Sequence, residues 1–256
     1  MAGIALIAGA EPSTAARLGI SMTALQVSIG TLNDIVDAPR DRGAKPGKPI
    51  PAGLVSREAA VAVAIVSGGA GLVLGSLSGA LVLALGVVVL AIGYGYDLAF
   101  KGTAWSWLPF AVGVPLLPVY GWVGATGSVP PSFAVLIPVA VAAGAALAVA
   151  NARADVARDQ AAGTASVATR LGDVWSWRVN AGLLLGVVVA ALATMLSGAA
   201  GAAEVVTAGI AAAVLVVSLA IGRVADPGRR ERAWELEALG LALLAVAWLT
   251  GLPLTG

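Results

Sequence analysis

The sequence predicts an all-α, polytopic membrane bundle, and three observations carry that prediction. Long apolar stretches recur along the whole chain, which is 59% hydrophobic and only 11% charged, where a soluble domain carries about 25% charge. Mean hydropathy is +0.94. The connections between the stretches alternate between two kinds, one rich in Lys and Arg and one lacking both, as loops on opposite faces of a membrane do. The 33 Gly, with many Ala and few aromatics, suit helices that approach one another closely in lipid. A single domain over residues 1–256 is expected.

Taken in order, residues 2–10 are apolar but too short to span, since a crossing helix needs about 20 residues. They have neither a basic start nor a cleavage site, so no signal peptide is expected. The first full span runs over 12–33 and delivers Asn33-Asp34-Ile35-Val36-Asp37-Ala38-Pro39-Arg40-Asp41. A polar loop rich in Pro and Gly follows to Arg57. Pro39 disfavours helix at Ala38, so Asp41 is expected on unwound backbone or a short following helix. Further spans are expected at 57–77, 79–96, 108–124, 131–153, 174–196, 203–223 and 235–252, eight in all. The connections near 39–57, 97–105, 154–174 and 223–234 are basic, and those near 78, 125–130 and 197–203 lack Lys and Arg. Of 15 Lys and Arg, only Arg17 lies outside the basic connections and their helix ends. The basic group is therefore expected in the cytoplasm, with the chain in the inner membrane.

Composition also excludes chemistry. A net charge of +1 argues against a nucleic-acid partner. Cysteine and histidine are both absent, which removes disulfides, thiolate nucleophiles, His-based triads and Cys- or His-ligated metal. Catalysis is left to carboxylates, Lys, Arg, Tyr and a hard metal ion.

The carboxylates are not scattered. A second cluster, Asn151-Ala152-Arg153-Ala154-Asp155-Val156-Ala157-Arg158-Asp159, closes the 131–153 span, and both clusters read Asn-x3-Asp-x3-Asp. A spacing of four stacks residues on one helix face. Like charges so close repel unless a cation lies between them. The clusters also sit at helix C-terminal ends, where the dipole disfavours acids. Both belong to the basic, cytoplasmic connections. Facing each other, they would hold divalent metal and a phosphorylated ligand. Magnesium suits oxygen ligands and completes its shell with substrate phosphate. Single acids such as Glu58, Asp173, Glu204 and Glu235 read as solvated helix ends, Arg223, Arg229, Arg230 and Arg232 as topology-setting charges, and Trp105, Trp107, Trp175 and Trp177 as interfacial residues.

Asn33-Asp34-x2-Asp37-x3-Asp41, then Asp155-x3-Asp159, resembles the UbiA superfamily of intramembrane prenyltransferases. The context is similar too: Arg42-Gly-Ala-Lys45-Pro-Gly-Lys48-Pro-Ile-Pro-Ala-Gly53 after the first motif, and Gly163-Thr-Ala-Ser-Val-Ala-Thr-Arg170-Leu-Gly172 after the second. The resemblance covers nearly the whole chain. It implies nine helices around a cavity open laterally to lipid; the helix that precedes the first motif in the family is missing here or reduced to residues 2–10, as in a truncated or mis-started gene product. It implies Mg2+-dependent transfer of an isoprenyl group from its diphosphate to a lipophilic or aromatic acceptor, such as a 4-hydroxybenzoate-like compound. Asp37, Asp41, Asp155 and Asp159 would be the catalytic acids. Asn33, Asp37 and Asp41, assisted by Asp34, would hold one metal. Asp155 and Asp159, supported by Asn151, would hold the other. Lys45, Lys48, Lys101, Arg153, Arg158 and Tyr94 would bind diphosphate. The expected partners are prenyl diphosphate, its acceptor and membrane lipid. Two rival readings remain at this point: a membrane terpene cyclase of the same fold, and a small-solute transporter. Transporter coupling sites lie near the bilayer midplane, whereas these acids map to one face.

Overall fold

The computed structural model describes residues 1–42, 47–198 and 200–251. Its helices are α1 (Ala2–Ile7), α2 (Pro12–Asp41), α3 (Arg57–Ser76), α4 (Ala80–Gly95), α5 (Leu108–Thr126), α6 (Phe133–Ala154), α7 (Val156–Ala161), α8 (Val167–Ser197), α9 (Ala202–Gly222) and α10 (Pro227–Gly251). A π-helical turn, Tyr96–Phe100, continues α4. The described residues contain no strand. Seven helices (α3, α4 with its π turn, α5, α6, α8, α9 and α10) are long and apolar enough to cross a membrane. The eighth expected span is α2. Its 30 residues reach about 45 Å at 1.5 Å per residue, but it is more polar than the rest.

Three boundaries differ from expectation, each for a local reason. Helix α2 runs on through Pro39 to Asp41, which corrects the expected unwinding at Ala38. Proline forfeits only the bond from its own missing N–H to the carbonyl four residues back, and the helix ends two residues later. Helix α10 begins at Pro227 rather than Glu235. Asp226 caps it by accepting the Arg229 N–H at 2.8 Å, and Pro fits the first helical position. Its charged first turns hid this start. Helix α8 begins at Val167 and contains a break at Gly172, with φ 75° and ψ 170°, a conformation only glycine adopts cheaply.

The chain forms two compact units. Unit 1 comprises residues 1–99 and 116–129, with α2 packed on α1, α3 and α4. Glycines set the α2–α3 approach: a Cβ at Gly68 would meet Ser28 Oγ at 2.8 Å, and one at Gly71 would meet Leu25 Cδ2 at 2.8 Å. Close backbones bring polar groups within reach. Ser21 Oγ donates to the Gly71 carbonyl at 2.6 Å, so Tyr120 OH donates to Ser21 at 2.7 Å. One heptad on, Ser28 Oγ donates to the Ala64 carbonyl at 2.6 Å, and Tyr94 OH donates to Ser28 at 2.7 Å. Gly71→Leu is expected to force α3 off α2 and lower stability by about 1–3 kcal/mol. Thermal unfolding in detergent checks this, and an unchanged midpoint would count against the packing described.

Unit 2 comprises residues 100–115 and 130–256, with α6, α8, α9 and α10 packed together. A Cβ at Gly144 would strike the Phe110 carbonyl, which sets the approach of the segment before α5's midpoint. Inside the unit, Asn180 Nδ2 donates to Glu237 Oε2 at 2.8 Å, so this fully buried carboxylate has a polar partner. Glu237 Oε1 and Asn180 Oδ1 have no hydrogen-bond partner among the described residues. Both residues line a cavity with about 10 Å3 open to a water centre, close to the room one buried water needs.

Candidate active site

The first cluster is a row along the end of α2. Positions 34, 37 and 41 advance by three and four residues, one helix face, and the continued helix keeps Asp41 on it. Asp37 and Asp41 are buried and Asp34 is half-exposed. All three aim at one cation: Lys48 Nζ lies 2.8 Å from Asp34 Oδ1, 2.8 Å from Asp41 Oδ2 and 4.0 Å from Asp37 Oδ2. Burial pushes the Lys48 ammonium towards deprotonation, but its bonds to Asp34 and Asp41, together with their charges, outweigh that and hold its pKa above the ordinary lysine value. Lys48 is thus charged throughout the neutral range. The like-charge repulsion expected from the spacing is relieved here by a tethered ammonium. Lys45 lies outside the described residues.

Asn33 points to a residue that the sequence reading gave no role. Its Nδ2 donates to Asp97 Oδ1 at 2.6 Å. Asp97 is buried at the start of the π turn, and such turns recur at functional sites. The available signal was an acid directly after the 79–96 span, in a connection that is otherwise basic. Tyr94 instead gives its hydroxyl to Ser28, within the α2–α4 packing.

The second cluster belongs to unit 2. Asn151 is in the last turn of α6, Asp155 is the residue between α6 and α7, and Asp159 lies within α7. The Asp159 N–H donates to the Asp155 carbonyl at 2.9 Å, so the two acids are one turn apart. Arg158 Nη2 pairs with Asp155 Oδ1, again a cation from the chain itself beside a cluster carboxylate. After α7 the chain folds back, with the Thr164 N–H donating to the Asp159 carbonyl at 2.8 Å. Val149, Ala152, Val167 and Ala168 form an apolar patch under the motif, covered by Trp107 and Val156. A Cβ at Gly102 would meet Thr164 Cγ2 at 2.9 Å, so Lys101, one residue away, is carried alongside this segment. Arg153 is turned inward. It is 4% exposed, with Nη1 donating to the Asp173 carbonyl and to Ser176 Oγ, each at 2.6 Å.

The oxygen-only donors fit a hard divalent ion, and Lys48 shows that one cation satisfies several of them at once. Among the described residues no three acids form a metal-holding group alone. A magnesium site takes one or two carboxylates and completes its shell with water and phosphate.

Comparisons with known proteins follow the same line. No curated protein matches the chain. Among solved structures, a UbiA homolog from Aeropyrum pernix K1 superposes with a TM-score of 0.79 at 19% identity, over 95% of this chain and 92% of that one. A UbiA homolog from Archaeoglobus fulgidus bound to DMAPP and Mg2+ gives 0.72 at 18% identity, over 96% and 93%. The same homolog bound to GPP and Mg2+ gives 0.69 at 18% identity, over 96% and 93%. These likenesses show the fold. Residues 1–252 match the UbiA prenyltransferase family, and with that match over nearly its full length the chain belongs to this family.

Proposed function

We propose that this protein transfers a prenyl group from a prenyl diphosphate to a hydroxylated aromatic acceptor of the 4-hydroxybenzoate type, with Mg2+ as cofactor. The observation that carries the reading is the convergence of Asp34, Asp37 and Asp41 on the Lys48 ammonium. The ammonium occupies the kind of position a metal would take. The Archaeoglobus fulgidus homolog bound to Mg2+ with DMAPP or GPP supports it.

On this reading Asn33, Asp37 and Asp41, with Asp34, hold one Mg2+, and Asp155 and Asp159, with Asn151, hold a second. By the positive-inside rule the basic connections, and both clusters with them, belong to the cytoplasmic face of the inner membrane, and both clusters serve one diphosphate. When bound, the metal would supply positive charge against the diphosphate as the allylic C–O bond breaks. Lys48, once released from the carboxylates, Lys101 and Arg158 donate to diphosphate oxygens, joined by Lys45. Apolar helix faces hold the prenyl tail and keep water from the allylic cation. The acceptor ring forms the new C–C bond and loses a proton, and diphosphate leaves.

The test is incubation of the protein in nanodiscs with GPP, Mg2+ and 4-hydroxybenzoate, followed by mass spectrometry. A prenylated aromatic formed one-for-one with diphosphate is expected. Diphosphate with a cyclic hydrocarbon, formed without acceptor, would replace transfer by cyclisation. No diphosphate release with any acceptor would contradict the reading.

Lys48→Met gives a second check. It removes one cation from a row of three carboxylates, two of them buried. In Mg2+-free buffer the variant is expected to lose about 1–3 kcal/mol, below the range for breaking a fully buried pair, with millimolar Mg2+ restoring the melting temperature. Equal destabilisation with and without Mg2+ would argue that the carboxylates do not bind metal.

A further inference from the structure

We infer that Arg153 is a positioning residue: with Asp173 and Arg230 it forms a clasp, its two guanidiniums buried and the Asp173 carboxylate at the surface, that closes the base of the segment carrying Asp155 and Asp159. This rests on the reading above, in which those two acids bind metal and diphosphate.

The helix phase explains why Arg153 leaves the motif it sits in. Two residues along an α-helix turn about 200°, so Arg153 points away from Asn151. It enters the interior of unit 2 instead. Nη1 donates to the Asp173 carbonyl and Ser176 Oγ, each at 2.6 Å, and lies 3.2 Å from Asp173 Oδ1. Nη2 donates to the Gly222 carbonyl at 3.0 Å. That carbonyl is at the last residue of α9, where the helix itself supplies no donor. One planar guanidinium therefore ties the end of α6 to α8 and α9 at once, which a lysine ammonium does with poorer geometry.

Asp173 is held from a second side. Its Oδ1 also accepts from Arg230 Nη2, and Arg230 Nε donates to the Val224 carbonyl at 3.3 Å. Arg230 is in the first turn of α10, so all four long helices of unit 2 meet in this network. Asp173 immediately follows the break at Gly172. Arg153 and Asp173 are 20 residues apart in the chain, and the residues between them include Asp155, Arg158, Asp159 and the turn at Gly163. The clasp is the point from which that whole segment leaves the bundle and to which it returns. Loosening it frees both ends of the segment, and the two carboxylates lose their fixed relation without being touched.

The test uses Arg153→Met, Arg153→Lys and Asp173→Asn in the full chain, with Mn2+ binding followed by electron paramagnetic resonance in the presence of DMAPP. Partners that orient metal ligands typically change metal affinity about 10–100-fold. Arg153→Met and Asp173→Asn are each expected to raise half-saturating Mn2+ by about that factor and to raise the KM for DMAPP, while kcat at saturation stays within a few-fold. The two changes together should cost less than the product of the single effects, because they share the Arg153–Asp173 link. Arg153→Lys, which keeps the charge and loses the fork, should fall between. A variant that melts earlier but keeps wild-type half-saturations would overturn the proposal, as would a fall in kcat with no shift in either. If Arg153→Met does not fold, Arg153→Lys and Asp173→Asn decide it on the same criteria. If the wild type binds no Mn2+ with DMAPP, the functional reading fails instead. The clasp is then judged by protease cleavage within 154–172, faster in Asp173→Asn if it exists and unchanged if it does not.

Discussion

Asp37→Asn is expected to lower prenyl transfer by about 10²–10³-fold, the scale for removing one group that stabilises developing charge in a water-poor site. The substitution keeps the side chain's shape and removes its charge. Asp37 is buried, 8% exposed, between Asp34 and Asp41 on the same face of α2, with Lys48 Nζ reaching all three. Losing one of three like charges relieves repulsion in the free protein, so folding should be unharmed. Catalysis should fall because the remaining carboxylates hold a divalent ion and its diphosphate less well. The check is kcat and KM for GPP at saturating Mg2+, beside a melting curve. A variant with a wild-type rate would remove Asp37 from the machinery. One that is inactive only because it is unfolded would leave the question to Asp41→Asn, which has the same expectation.

The second large effect is at the other cluster. Asp155→Asn is expected to cost about 10²–10³-fold by the same argument, and combining it with Asp37→Asn should cost much less than the product of the two. Groups that act as one unit are grossly non-additive. If both clusters serve a single diphosphate, breaking either already loses most of what the pair achieves. Distant, independent sites would multiply their effects. Full multiplication in the double variant would mean that the clusters act on different ligands. Asp155 also loses its pairing with Arg158 on substitution. The control is Arg158→Gln, which should raise KM more than it lowers kcat.

Which parts of this were legible from the chain alone follows from what each depends on. The spans were visible because apolar runs of about 20 residues have few alternatives in lipid. The clusters were visible because a spacing of three or four residues is a local geometric fact, and the structure keeps Asp34, Asp37 and Asp41 on one cation. Pro39 misled because its effect depends on position: near the last turn of α2 it costs little, and the helix reaches Asp41. The early start of α10 was hidden because charged residues can extend a helix beyond the lipid-crossing part. Asp97 was missed because its partner, Asn33, is 64 residues away, and only the packing of α4 on α2 brings them together. Arg153 misled in the opposite way. Its closeness to Asp155 in sequence suggested a shared ligand, while the turn of the helix sends its guanidinium to Asp173, Ser176 and Gly222.

The most direct measurement of the central claim, that two acidic clusters share one metal–diphosphate unit, is pulsed electron paramagnetic resonance on Mn2+-loaded protein with a non-reactive thiolo analogue of GPP. The account predicts two Mn2+ per chain, dipolar-coupled at close range only when the analogue is present, with the coupling abolished by Asp37→Asn and equally by Asp155→Asn. Two uncoupled ions, or a single ion indifferent to one of the two substitutions, would contradict it.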